Sequence, residues 1–114
     1  MLDSAAMGGA TLFTRSPANP IITAAAMPYP VNSVFNPAPA RMNGDTVILM
    51  RVEDLRGISH LTVARSADGI HGWWIDDRPT FASDPGRHPE EVWGVEDPRV
   101  TWLAEREEWV IAYT

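Results

Sequence analysis

The chain has 114 residues, with 15 acidic against 9 basic side chains and a net charge of −6, which is length enough for one domain with its own core. An acidic chain whose bases are all arginine, and which form no cluster, is a poor partner for nucleic acid or for an anionic membrane surface. Cysteine is absent, which rules out disulfides and thiolate metal sites, and a hydrophobic share of 45% is that of a globular rather than a disordered protein.

Residues 1–10, MLDSAAMGGA, are small and weakly patterned and read as a flexible leader. The apolar run from Ile21 to Met27 is far too short to span a bilayer. No basic region precedes it, so a signal peptide is not expected and the location expected is cytoplasmic. Residues 16–40 are rich in proline and read as a connector. A strand is expected over 46–52, opened by the turn Asn43-Gly44-Asp45. Residues 59–66 alternate polar with apolar, as a half-buried strand does. A short aromatic strand over 71–75 follows the turn Asp68-Gly69, and a second connector runs over 76–98. Two more strands, 99–103 and 108–113, flank a hairpin loop at 104–107.

Ten prolines, eight glycines and no long helical period point to an all-β architecture. The strand pair over 45–66, the third strand and the new pair after the connector nearly repeat one another. Units of roughly 40–50 residues with about four strands each point to propeller blades. On that reading residues 11–114 hold one blade and the first half of a second. The chain is then expected to be a fragment of a longer propeller, with open sheet edges that favour a homo-oligomer. The stretch from Ser66 to Trp73 fits a blade turn. Asp68 would accept bonds from nearby backbone N–H groups, Gly69 would take a positive φ, and Trp73 would fold back beneath them. An ordinary hairpin turn fits the same residues.

The stretch Trp93-Gly94-Val95-Glu96-Asp97-Pro98-Arg99 concentrates the candidate chemistry. Pro98 biases Asp97 toward extended backbone. Neighbouring Glu96 and Asp97 should then point to opposite sides, so that only one faces a given site. Arg99 suits a bidentate pair with either carboxylate. An ordinary acidic turn remains open from these residues alone. Arg51 ends an apolar strand, an expensive place for a cation unless it faces a cleft or pairs with Glu53 or Asp54. His60, His71 and His88 show no metal-ligand spacing, and no metal is expected. Of the five tryptophans, most are expected in the core; Trp93, in a loop beside the acids, is the best placed to stack on a sugar.

Taken together, "NPAPARMNGDTVILMRVED", "SHLTVARSADGIHGW" and "GVEDPRVTWLAEREEWVIAYT" resemble the N-terminal part of glycoside hydrolase family 130. The opening "TLFTRSPANPII" is similar to the family's usual start, and the resemblance covers roughly residues 11–114. It implies a five-bladed β-propeller acting on β-mannosides with inversion, by phosphorolysis or by hydrolysis. It makes Asp97 the proton donor, acting through a sugar hydroxyl, and places Arg51 and Asn36 at the sugar. It implies no metal or organic cofactor, and inorganic phosphate as co-substrate for a phosphorylase. One departure is Ile58, where phosphorolytic members often carry a basic residue, which leaves hydrolysis open. A non-catalytic carbohydrate-binding or assembly fragment, without the remaining blades, is the alternative.

Overall fold

The computed structural model describes Gly9 and residues 11–114; the leader expected over 1–10 lies, Gly9 apart, outside the described residues. Among the described residues six strands form two antiparallel sheets. The first holds β1 (Ser33–Met42), β2 (Asp45–Glu53), β3 (Ser59–Ser66) and β4 (Trp74–Ile75), in that order. The second holds β5 (Arg99–Leu103) and β6 (Glu108–Ala112). Both sheets are open. Short 3₁₀ turns at Ala24–Ala26 and Pro89–Glu91 interrupt the two connectors. Among the described residues no helix is long and apolar enough to cross a membrane.

The turn between β1 and β2 follows from its two residues. Asn43 and Gly44 take φ of 51° and 90°, and Met42 pairs directly with Asp45. This is the two-residue hairpin geometry with positive φ at both central positions, for which Asn-Gly is the preferred pair. It pairs β2 with a strand that the sequence reading missed, because residues 33–40 fell inside the expected connector. Pro37 and Pro39 argued against a strand there. Yet β1 lies at the sheet edge, where a missing N–H costs little. Its register shifts between Phe35 and Ala38, and Asn36 sits in that bulge with φ of 44°.

The continuous apolar run of β2 is buried on both faces. Ile48, Met50 and Val52 pack with Met27 and Ala64 on one side. Leu49 packs with Leu61 and Val95 on the other. Val95, from the acidic motif, is fully buried. Its N–H donates to the Ser59 carbonyl, at the head of β3, and Gly94 forms an isolated parallel bridge with Ser59. The motif is therefore docked against the start of β3 by both apolar contact and backbone bonds. Behind it, the buried Glu91 accepts from the Tyr113 hydroxyl at 2.6 Å and from the Asp84 N–H at 2.8 Å, tying the second connector to the end of β6.

The tryptophans are not core residues as expected. Of those expected in the core, Trp74 and Trp102 are exposed, and Trp73 only packs at the margin of the first cluster. Trp102 and Trp109, directly paired across β5 and β6, pack against each other with centroids 5.2 Å apart, on the hairpin face that carries Val100 and Ile111 and is separated from the first sheet by an open cleft.

The turn after β3 is built as its residues suggested. Asp68 Oδ1 accepts from the N–H groups of Ile70 and His71 at 2.8 and 2.7 Å, Gly69 takes φ of 75°, and the Trp73 indole N–H donates to the Ile70 carbonyl. The N–H groups of His71 and then Ile70 hold the Asp68 carboxyl far below its ordinary value of 3.8. A depressed carboxylate contributes stability above its unfolded pKa and loses it as pH falls through the folded one. Asp68→Ala is therefore expected to lower the thermal midpoint at pH 7. The gap to the parent chain should narrow steadily below about pH 4. Calorimetry across that range checks it, and a gap independent of pH would refute it.

Candidate functional site

Four polar side chains from three distant parts of the chain converge at the end of the first sheet. Arg51 arrives on β2, Asn36 from the bulge of β1, and Glu96 and Asp97 from the loop docked on Ser59. Arg51 Nη1 donates to Asp97 Oδ1 at 3.0 Å, and Nη2 to Glu96 Oε1 at 2.8 Å. Asn36 Nδ2 donates to the same Asp97 oxygen at 2.8 Å. The guanidinium carbon also lies 4.5 Å from the centre of the Phe35 ring, where the face of an aromatic attracts a cation. The Arg51 side chain is 15% exposed, against 37% and 36% for the two acids. The cation is thus sunk in the sheet and the carboxylates open outward.

The expected opposition of Glu96 and Asp97 does not hold, because the backbone at Asp97 is not extended. Asp97 takes φ of 47°, the left-handed region that Asp tolerates better than most residues. An extended pair would alternate; the left-handed residue breaks the alternation and turns both carboxylates onto one cation. Such backbone is uncommon away from glycine and is enriched where a side chain must be aimed. Asn36, with its own positive φ, is the second case in the same cluster.

The remaining candidates fall in different places. Arg51 does not pair with Glu53 or Asp54: Glu53 accepts from Asn32, and Asp54 pairs with Arg56 at 2.7 Å. Arg99 makes no bidentate carboxylate pair either. Its Nη1 donates to the carbonyls of Pro98 at 2.9 Å and Asp97 at 3.3 Å, because it lies on β5, past the turn, and reaches back along its own backbone. Trp93 is 77% exposed and takes no part in the bonds that join the four central residues. Ser59 was missed by the sequence reading. It is buried, and its Oγ accepts from Arg51 Nε at 3.0 Å. It stands two places before Leu61, the residue paired with Arg51 across the sheet, so its nearness to Arg51 shows only once the register is known.

The electrostatics follow from these bonds. The Asn36 amide and the Arg51 guanidinium hold the Asp97 carboxyl below the usual carboxylate range, with Arg99 adding a smaller pull in the same direction. Asp97 therefore rests as a carboxylate at neutral pH. A cleft of about 460 Å³ opens beside the cluster between Asn36, Pro37, Pro98 and Arg99. A second cleft of about 500 Å³ lies between the sheets, against Leu49, Leu61, Phe81 and Trp109, with Thr80 and Tyr113 as its polar groups. Of the four converging side chains only Asn36 lines the first cleft, where Arg99 and Thr101 are its other polar side chains; Arg51, Glu96 and Asp97 lie at its margin, past Asn36 and Pro98. Among the described residues no group of His, Asp or Glu side chains is arranged to hold a metal ion.

No family model and no curated protein matches the chain. Solved structures do. One comes from work stating that the family 130 of mannoside phosphorylases contains glycoside hydrolases that target β-1,2 mannosidic linkages in Candida mannan; it is 32% identical, with 100% of this chain and 36% of that one covered, at a TM-score of 0.74. A glycosyl hydrolase from Bacteroides ovatus is 30% identical over 88% of this chain and 33% of its own, at a TM-score of 0.73. A candidate glycoside hydrolase from Parabacteroides distasonis is 29% identical over 88% and 34%, at a TM-score of 0.70. The chain spans about a third of the length of each. The resemblance to glycoside hydrolase family 130 is borne out by these likenesses.

Proposed function

With glycoside hydrolase family 130 as the chain's kin, we propose that it forms part of an enzyme cleaving β-mannosidic bonds with inversion. The observation that carries this reading is the convergence of Asn36, Arg51, Glu96 and Asp97 beside an open cleft, with left-handed backbone at Asn36 and Asp97. In this reading β1–β4 is one blade of a five-bladed propeller and β5–β6 is the first half of the next. Asp97 is the proton donor, Asn36 and Arg51 hold the sugar, and Trp93 offers its exposed indole as a stacking face. Arg99 and Glu96 orient the motif.

In the reaction, an oxygen of phosphate or of water forms a bond to the anomeric carbon as the glycosidic C–O bond breaks; in the hydrolytic case a second carboxylate, acting as base, takes the proton that the attacking water loses. The hydrogen ion leaves Asp97 through a sugar hydroxyl and ends on the departing oxygen. Because Asp97 rests ionised, it must take up that hydrogen ion first. A sugar closing over the cluster would exclude water and raise its pKa, since desolvation disfavours the charged form. No metal or organic cofactor is needed; inorganic phosphate is the co-substrate of a phosphorylase.

Charge bears on the role of Arg51. Arg51 and Arg99 stand against Glu96 and Asp97, so the cluster has no surplus cation for a phosphate dianion. That favours a neutral sugar as the ligand of Arg51 and leaves phosphate to be bound, if at all, by other residues. A second reading, non-catalytic carbohydrate binding, is favoured by one observation: in this chain the cluster satisfies its own charges and holds Asp97 away from protonation. Incubating the purified protein with β-mannosides, with and without inorganic phosphate, separates the readings. Release of mannose 1-phosphate or of mannose supports the enzyme. Binding without turnover supports the second reading.

A further inference from the structure

The Arg51 guanidinium is held at every nitrogen. Ser59 Oγ accepts from Nε, Glu96 from Nη2 and Asp97 from Nη1, and the Phe35 ring covers one face. Three of these four contacts, those with Ser59, Glu96 and Phe35, are not with Asp97, and together they fix the plane and direction of the guanidinium. Ser59 also has a second tie to the same site. Its carbonyl accepts the Val95 N–H, so one residue fixes both the cation and the loop that carries the acid.

We propose that Ser59 is a positioning residue, which aims Arg51 at Asp97 through its hydroxyl while its backbone seats the Gly94–Asp97 loop. This deepens the reading of Asp97 as the acid, and rests on that reading for its functional meaning. The physics is that of a preorganised charge. A free arginine has many rotamers and its pull on a carboxylate is averaged over them and screened. A guanidinium bonded at Nε has its plane and direction set before substrate arrives. The groups facing Asp97 are Asn36 from β1, Arg51 from β2, Arg99 from β5 and Glu96 beside it in the loop. Of these only Arg51 is bonded to Ser59.

The test is a titration of the Asp97 carboxyl carbon by NMR in the intact chain and in Ser59→Ala, each also in an Arg51→Lys background. Lysine keeps the charge and lacks the Nε–H that Ser59 receives. Ser59→Ala is expected to move the Asp97 titration upward, toward the ordinary carboxylate range, in the parent chain and to leave it unmoved in the Arg51→Lys chain. An equal shift in both backgrounds, or no shift in the parent, overturns the proposal. Should Ser59→Ala fail to fold, Ser59→Cys fills the space with a poor acceptor and is expected to give the same pattern. The outcome is separable from the reading of Asp97 as the acid. If Asp97→Asn keeps full turnover while the background-dependent shift appears, Ser59 positions Arg51 but Asp97 is not the donor.

Discussion

Asp97→Asn is expected to cost turnover of a β-mannoside about 10²–10⁴-fold, the usual contribution of a positioned acid, while leaving the fold almost unchanged. The substitution is close to a pure removal of a titratable group. An amide oxygen still accepts from Asn36 and Arg51, which now bond Oδ1 of Asp97. Asparagine also tolerates the left-handed backbone that position 97 adopts. Urea unfolding should therefore give a midpoint only modestly below that of the parent at neutral pH, because the folded chain favours the ionised carboxyl, and the gap should close as pH falls through the Asp97 titration. The parent enzyme carries a further signature. With Asp97 held low by Asn36 and Arg51 in the free protein, kcat/KM should rise as pH falls, because the protonated form is scarce at neutrality. The profile of kcat, which reports the substrate complex, should keep its activity to higher pH once a bound sugar has removed water from the carboxyl. A variant retaining turnover within tenfold of the parent, or coincident limbs for kcat and kcat/KM, would count against Asp97 as the donor.

How much of this was legible in the sequence depends on the range of the interaction. The strands over β2 and β3, the Asn-Gly hairpin and the Asp68 turn are local: apolar runs, alternation and turn residues specify them within a few positions. The edge strand β1 was hidden by Pro37 and Pro39, since their tolerance depends on which side of the strand has a neighbour, a fact of topology rather than of local pattern. The tryptophans misled for a similar reason: an aromatic residue is core only if another layer closes over it, and an open cleft lies between the first sheet and the hairpin face that carries Trp102 and Trp109. In the site, the residue types were legible from the motif and its resemblance. Their geometry was not. Alternation along an extended chain predicts that Glu96 and Asp97 diverge, and a single residue with positive φ reverses the conclusion. Ser59 was invisible because nothing about a serine at the head of a strand marks it until the register sets it beside Arg51.

Gly94 is where backbone and site meet, and Gly94→Ala is expected to be the most damaging glycine-to-alanine change among the described residues. A Cβ there would lie 2.6 Å from the Ser59 carbonyl oxygen and 2.8 Å from its nitrogen, with φ at +101°. Both obstacles are backbone atoms of β3, and that carbonyl is already bonded to the Val95 N–H. Neither can retreat without opening the bridge between Gly94 and Ser59 or drawing Val95 out of its cluster with Leu49 and Leu61. The expected loss is about 2–4 kcal/mol, combining a strained φ with a steric clash against a fixed strand. Gly57→Ala is the proper control. Gly57 has a similar φ of +84° but open space around its Cβ position, so only the conformational part remains, about 1 kcal/mol. Urea unfolding of both variants separates the two contributions. Where Gly94→Ala remains folded, the displaced loop should also release Asp97 from Arg51, and its carboxyl should titrate closer to the ordinary range. If the two alanines destabilise equally and Asp97 titrates unchanged, the docking of the acidic loop on Ser59 is not what holds the carboxylate in place.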